Sequence, residues 1–359
     1  MRHQNTAYFL GSNSSTGFFS YFDQLIDLKS ASHVYYLKGG PGTGKSSFMK
    51  TIAAHAEALS HPVDYIHCSS DPDSLDGIVI RDLGVAMIDA TSPHTVDPIY
   101  PGAVDEILNL GQFWDSSHLA ERREQIIELT TAVSQNFTKT YRYIGAANYL
   151  LRDNEQLMKP AILQKKIDHY AEKFIKKQFK PRAAEGLEKK RFLSGITPKG
   201  PVCYSGELRN ICERLYVVED SYYTAPILLE KLRDGALQNG YDVISYYCPM
   251  NPRKLEHLYF PALALGVTVS DEFHPYAGDF EHRISTQRFI NKELLPRCKA
   301  RMKFNRKCAK SLLEGAYTTL AAAKETHDAL EAAYIDAMDF DAVTALSEQI
   351  CDRIFSSRS

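Results

Sequence analysis

Val34-Tyr35-Tyr36-Leu37-Lys38-Gly39-Gly40-Pro41-Gly42-Thr43-Gly44-Lys45-Ser46-Ser47-Phe48-Met49 is the stretch from which the fold is read. The apolar run from Val34 to Leu37 has the length of a buried strand. Residues 39–46 follow it as a full match to G-x-x-x-x-G-K-[ST]. Beyond them Phe48, Ile52, Ala56 and Leu59 recur every three or four residues, the spacing of one helix face. Strand, glycine loop and helix in that order predict a phosphate cradle. Glycines reach backbone conformations closed to other residues, so amides turn inwards around phosphate oxygens. The helix presents its positive end to the same anion. Lys45 then reaches the β- and γ-phosphates as a point charge, and the Ser46 hydroxyl serves as an Mg²⁺ ligand. Gly39, Gly40, Pro41, Gly42, Thr43, Gly44, Lys45, Ser46 and Ser47 are the expected nucleotide-binding residues. A plain glycine turn would not need Lys-Ser at this register.

Acids supply the remaining parts. A carboxylate at the end of a hydrophobic strand is expected to hold the Mg²⁺ shell, and Asp89 follows Val85-Ala86-Met87-Ile88. Asp71 and Asp73 follow a second strand, Val63–His67, on the sheet edge where parallel α/β proteins place ligands. With Lys45 they are the expected catalytic residues, against the bland alternative of a turn around Pro72. Asp76, Asp97 and Asp105 are lesser candidates. His94 reads as a packing or capping residue.

The chain is written twice. Cys68 and Pro72 recur as Cys248 and Pro252, and Leu75, Leu83 and His94 recur as Leu255, Leu263 and His274 at the same offset. Phe9-Leu10 matches Phe192-Leu193, and Tyr141 matches Tyr317, at offsets only a few residues different. A nearly constant offset over so long a stretch predicts a tandem duplication. The expected division is residues 1–190 and 191–359, the join falling near 181–190. Each copy is expected to hold strands at 34–37, 63–67 and 84–88, or 215–218, 242–247 and 264–269. Strands alternating with helices imply an α/β fold of two tandem parallel sheets. A helical segment closes each copy, residues 117–177 with a break at Lys159-Pro160, and 285–355 with a break at Pro296. Asp339 or Asp341 is the expected cap of the last helix.

The second copy is an internal control. Residues 219–226, Glu219-Asp220-Ser221-Tyr222-Tyr223-Thr224-Ala225-Pro226, align with 39–46. The glycines are gone, Ala225 replaces Lys45 and Pro226 replaces Ser46. Glu219 and Asp220 are expected in the phosphate position, and they would repel a phosphate. Asp71, Asp73 and Asp89 become Asn251, Arg253 and Val269. The residues lost together are those assigned to nucleotide chemistry. An Arg crossing from this copy (Arg209, Arg214 or Arg253) is a further expectation.

The strings at 37–50, 67–77 and 89–94, with Tyr334-Ile335-Asp336-Ala337-Met338-Asp339-Phe340, resemble a family of duplicated bacterial P-loop ATPases from Gram-positive lineages. The resemblance covers nearly the whole chain and implies a cytoplasmic nucleotide-binding protein with two P-loop-type halves. Members can carry a second intact loop in copy two. This sequence departs there.

Composition agrees with a globular chain: 359 residues, 44% hydrophobic, 24% charged and a formal charge of -2. That balance gives no clear nucleic-acid signature and no pull towards an anionic membrane. The first residues lack the apolar core of a signal peptide, and no apolar stretch approaches the ~20 residues that span a bilayer. Seven cysteines without a C-x-x-C pair read as free thiols of a reducing compartment. The expected protein is a cytoplasmic ATPase requiring ATP and Mg²⁺ in its first half. A small-molecule or nucleotide kinase and a slow nucleotide-gated switch are the alternatives, with a protein partner or homo-oligomer left open.

Overall fold

A computed structural model of the chain describes residues 4–93 and 95–356; His94 lies outside the described residues. The first half runs β1 (Thr6–Tyr8), β2 (Gly11–Ser14), β3 (Gly17–Ser20), β4 (His33–Lys38), α1 (Lys45–Ala58), β5 (Val63–His67), β6 (Leu75–Ile80), β7 (Val85–Asp89) and β8 (Asp105–Asn109). Helices α2 (Ser116–Glu121), α3 (Arg123–Met158) and α4 (Gln164–Gln178) follow. The second half repeats the plan with β9 (Glu188–Arg191), β10 (Ser194–Thr197), β11 (Gly200–Cys203), α5 (Ser205–Ile211), β12 (Arg214–Glu219) and α6 (Ala225–Gln238). It continues through β13 (Val243–Tyr247), β14 (Leu255–Phe260), β15 (Leu265–Ser270), β16 (His282–Ser285), α7 (Leu295–Ile335) and α8 (Phe340–Phe355).

The fold is mixed α/β, with two six-stranded, mostly parallel sheets. The first has the order β1-β5-β6-β7-β4-β8 and the second β9-β13-β14-β15-β12-β16, strand for strand the same. In each, one strand breaks the parallel pattern: β6 is antiparallel to β5 and β7, and β14 to β13 and β15. The expectation of wholly parallel sheets is corrected here, and the reason is the length of chain. Residues 68–74 are too few for the crossover of ten or more that a parallel neighbour requires, so the chain turns straight back. Both turns start with a register shift, at Ile66/His67 and at Tyr246/Tyr247.

The halves meet at their hairpins. Phe9 and Phe192 exchange two backbone hydrogen bonds of 2.9 Å, and Ser15 N–H donates to Met250 at 3.0 Å. Asn13, fully buried, donates to the carbonyl of Ile196 at 3.0 Å. The phenylalanines paired by the sequence repeat are thus bonded to each other.

The helices interlock the two halves. α3, 36 residues, and α7, 41 residues, run antiparallel, with Thr140 against Thr319 at 2.7 Å and Asn154 donating to Met302 at 3.2 Å. Ala147, Ala309, Ala316 and Ala323 are buried along this pair, and small side chains let the axes approach. α4 then packs on α6 of the second half, Ile167, Ala171 and Phe174 joining Leu228, Leu229 and Leu232. A Cβ on Gly235 would stand 2.4 Å from the Ile175 side chain, so a larger residue there would push Ile175 aside. In return α8 packs on α1: Val343, Ile350, Cys351 and Ile354 complete the core of Phe48, Met49 and Ile52. Each such side chain contributes roughly 1.5–3 kcal/mol on burial. Pro296 starts α7 instead of breaking it, Lys159 and Pro160 lie in the short 3₁₀ turn between α3 and α4, and Asp339 caps α8 through Ala342 N–H. Among the described residues no helix is long and apolar enough to cross a membrane. All seven cysteines are free thiols.

Candidate functional site

The loop between β4 and α1 lies at the carboxyl edge of the first sheet, and α1 starts at Lys45. Gly42 and Gly44 adopt φ of 67° and 84°, the left-handed region that favours glycine. Thr43, 1% exposed, donates to the Gly40 carbonyl at 2.9 Å and braces the turn. The Lys45 ammonium donates to the carbonyls of Gly40 at 2.7 Å and Gly39 at 3.3 Å, and stands 3.6 Å from Asp89 Oδ2. Asp89 ends β7, beside β4, and its other oxygen accepts from Thr91 N–H at 2.9 Å. The Thr91 hydroxyl donates to Gly39 at 3.0 Å. Lys45, Asp89 and the glycine loop thus form one cluster. Ser46 Oγ accepts from Leu75 N–H at 3.0 Å, which ties the first turn of α1 to the segment carrying Asp71 and Asp73. Ser47 is exposed on that turn, and Pro41 is half-buried in the loop.

Asp71 and Asp73 divide. Asp71 shapes its own turn, accepting from Asp73 N–H at 3.2 Å and the Ser74 hydroxyl at 2.9 Å. That is the local hydrogen bonding typical of such a turn. It also meets Lys324 of α7 at 3.5 Å. Asp73 points outwards, 74% exposed, onto Lys199 of the β10–β11 hairpin, whose ammonium holds its carboxyl below the usual range. The lesser acids serve structure. Asp97 pairs with Lys38 at 3.1 Å, Asp105 accepts from Ile99 and Tyr100 N–H at 2.7 Å each, and Asp76 is buried in β6.

A roof from the other half was not expected. The last turns of α7 cross the sheet edge from Asp71 to the glycine loop. A Cβ on Gly42 would stand 2.6 Å from the Glu331 carbonyl, and one on Gly40 2.9 Å from the Tyr334 ring. Tyr334 packs on Trp114, ring centroids 5.9 Å apart. Beyond Trp114 an open hollow of about 550 Å³ lies between residues 112–118 and 336–339, two segments joined by Asp115 N–H to Ala337 and Asp339 N–H to Phe113. Lys324 is partly buried. Burial opposes its charge, but the hydrogen bond to Asp328 and the charge of Asp71 outweigh it and raise the pKa. The arginines named from sequence are engaged elsewhere: Arg209 with Glu281 at 2.9 Å, Arg214 with Gln178 at 2.9 Å, and Arg253 exposed in its own turn. The only sequence hint of the roof was the string at 334–340.

The second half presents the contrasting loop. α6 starts at Ala225, the residue aligned with Lys45. Asp220 accepts from the N–H groups of Tyr222 at 3.1 Å, Thr224 at 3.2 Å and Ala225 at 2.9 Å, and from the Thr286 hydroxyl at 3.2 Å. Its carboxylate fills the amide nest as a resident anion. Glu219 does not join it, turning to Arg283 at 3.1 Å. The expectation that both acids face the cradle is corrected accordingly. At the first loop the N-cap is Gly44, and among the described residues no side-chain oxygen takes the place that Asp220 holds in the second.

No family model, curated protein or solved structure matches the chain.

Proposed function

We propose that the chain is a P-loop ATPase that binds one ATP with Mg²⁺ in its first half, the second half acting as a nucleotide-incompetent partner. One contrast carries the reading. The amide nest of the second half is filled by its own Asp220, while in the first no carboxylate among the described residues accepts from the loop amides, and the loop stands beside Lys45 and Asp89. Helix amides that one half satisfies with a carboxylate suit a phosphate in the other. The donor set fits the metal as well: a hydroxyl at Ser46 and a carboxylate at Asp89 are hard oxygen ligands. Mg²⁺ would supply neutralisation of charge on the phosphates. Lys45 releases the loop carbonyls and turns to the phosphates, Ser46 and Asp89 hold the metal shell, and Asp71, which meets Lys324 of the roof, is the catalytic acid of the two expected. Asp73 is a link to the second half through Lys199. Residues 39–47 form the cradle, and the hollow beside Trp114 gives the base a place on the β8 side. The duplicated origin of the halves and membership of the resembled family belong to the same proposal.

The roof favours a second reading, a slow switch. Glu331 and Tyr334 lie directly on Gly42 and Gly40, so occupancy of the loop is felt by α7 of the other half and through it by α3. Radiolabelled ATP distinguishes the readings. Free phosphate release at a steady rate supports the ATPase, tight binding with almost no release supports the switch, and label transferred to a metabolite pool overturns both in favour of a kinase.

A further inference from the structure

The second half encloses a small cavity of about 190 Å³ between the β10–β11 hairpin, β14 and the loop after β15. Cys203, Ser205, His257, His274 and Tyr276 line it, and none belongs to the phosphate site. His257 is 2% exposed. Its Nδ1 is bonded to the Thr268 hydroxyl at 2.7 Å, while Nε2 has no hydrogen-bond partner among the described residues. A polar atom buried and unmatched is costly, so a native structure that keeps one needs a reason for it. His274 lines the same cavity, its Nδ1 3.9 Å from both Glu256 and Asp271, beyond hydrogen-bond reach. Glu256, 4% exposed, also has an oxygen, Oε2, without a partner among the described residues. Cys203 lies exposed at the mouth.

Two imidazoles, that of His257 anchored through Nδ1, and a thiol around one cavity form a donor set of borderline softness. Anchoring of the second ring nitrogen is the usual support of a ligating imidazole. Oxygen-preferring Mg²⁺ is a poor match, and zinc-class ions are a good one. We propose that this cavity binds one divalent transition-metal ion of the zinc class through His257, His274 and Cys203, with Glu256 as the neighbouring carboxylate. The donor atoms do not all stand within 4.8 Å of one another, as those of His327, Asp328 and Glu331 do. Ligation therefore requires the donors to draw together from the positions they hold here. Ligation breaks the S–H bond, the thiolate goes to the metal and the proton to solvent. Val269, where the first half has Asp89, is part of the same wall. The half without the Mg²⁺ carboxylate thus carries nitrogen and sulfur donors at the same strand end.

The test uses the full chain stripped with chelator and titrated with Co²⁺, followed by competition with Zn²⁺. One equivalent should bind with a thiolate-to-cobalt band in the near ultraviolet. Cys203→Ser should abolish the band, and both Cys203→Ser and His274→Asn should weaken binding at least tenfold while leaving the thermal melt of the metal-free chain unchanged. Peptide-mapped alkylation should show Cys203 protected by Zn²⁺ in the native chain and reactive in His274→Asn. Glu331→Gln should bind as the native chain does. Absence of saturable binding, equal alkylation of Cys203 with and without Zn²⁺, or binding lost in Glu331→Gln and kept in Cys203→Ser would overturn the assignment. The outcome is independent of the ATP reading, because no residue of the first loop takes part.

Discussion

Lys45 and Asp220 occupy matching loops with opposite chemistry, one bringing a cation to a loop whose amides meet no carboxylate among the described residues and the other an anion to a filled nest. Lys45→Ala is expected to abolish ATP binding and leave the fold intact, because its ammonium touches loop carbonyls and Asp89 and no apolar core. Titration calorimetry giving an affinity within about threefold of the native chain would contradict that. Asp89→Asn keeps an oxygen for Thr91 N–H but loses the charge. It should therefore spare ATP affinity more than Mg²⁺-dependent turnover, and undiminished turnover in the variant would remove Asp89 from the site. At Asp220 the role is structural. Asp220→Ala strands three amides at the start of α6, and should destabilise the chain by about 1–3 kcal/mol. A denaturant midpoint unchanged from the native chain would show that the nest is satisfied another way.

At the scale of elements, the glycine loop, α1, β4, β5 and β7 were legible in the sequence because a local pattern marks each. β6 was not, since all six of its residues are buried and Asp76-Gly77 interrupts the apolar run. Its direction followed only from the shortness of the turn before it. Lys324, Glu331 and Tyr334 were also missed as site residues. They lie far along the chain, and nothing local to α7 shows that its end crosses the first sheet. The interlocking of α4 with α6 and α8 with α1 was likewise invisible, because an amphipathic helix declares its apolar face and not the surface that covers it. The Gly42–Glu331 contact gives the prediction at this scale. Gly42→Ala places a Cβ 2.6 Å from the Glu331 carbonyl in a left-handed conformation, so the loop or α7 must shift. It should lower ATP affinity at least tenfold while also loosening α7. Hydrogen exchange at 324–335 indistinguishable from the native chain would count against the roof as a sensor of the loop.

The whole molecule is two sheets of identical strand order, joined by reciprocal helices, with one expected phosphate site and one site filled from within. The sequence repeat pointed to the two halves. Only the structure showed that each half completes the other. The central claim is that a single triphosphate binds, and that it binds in the first half. Titration calorimetry with a non-hydrolysable ATP analogue and Mg²⁺, followed in parallel by the fluorescence of the single tryptophan, Trp114, tests it most directly. One site per chain, lost in Lys45→Ala and retained in Asp220→Asn, is the predicted result. Two sites per chain, or one that survives Lys45→Ala, would contradict it.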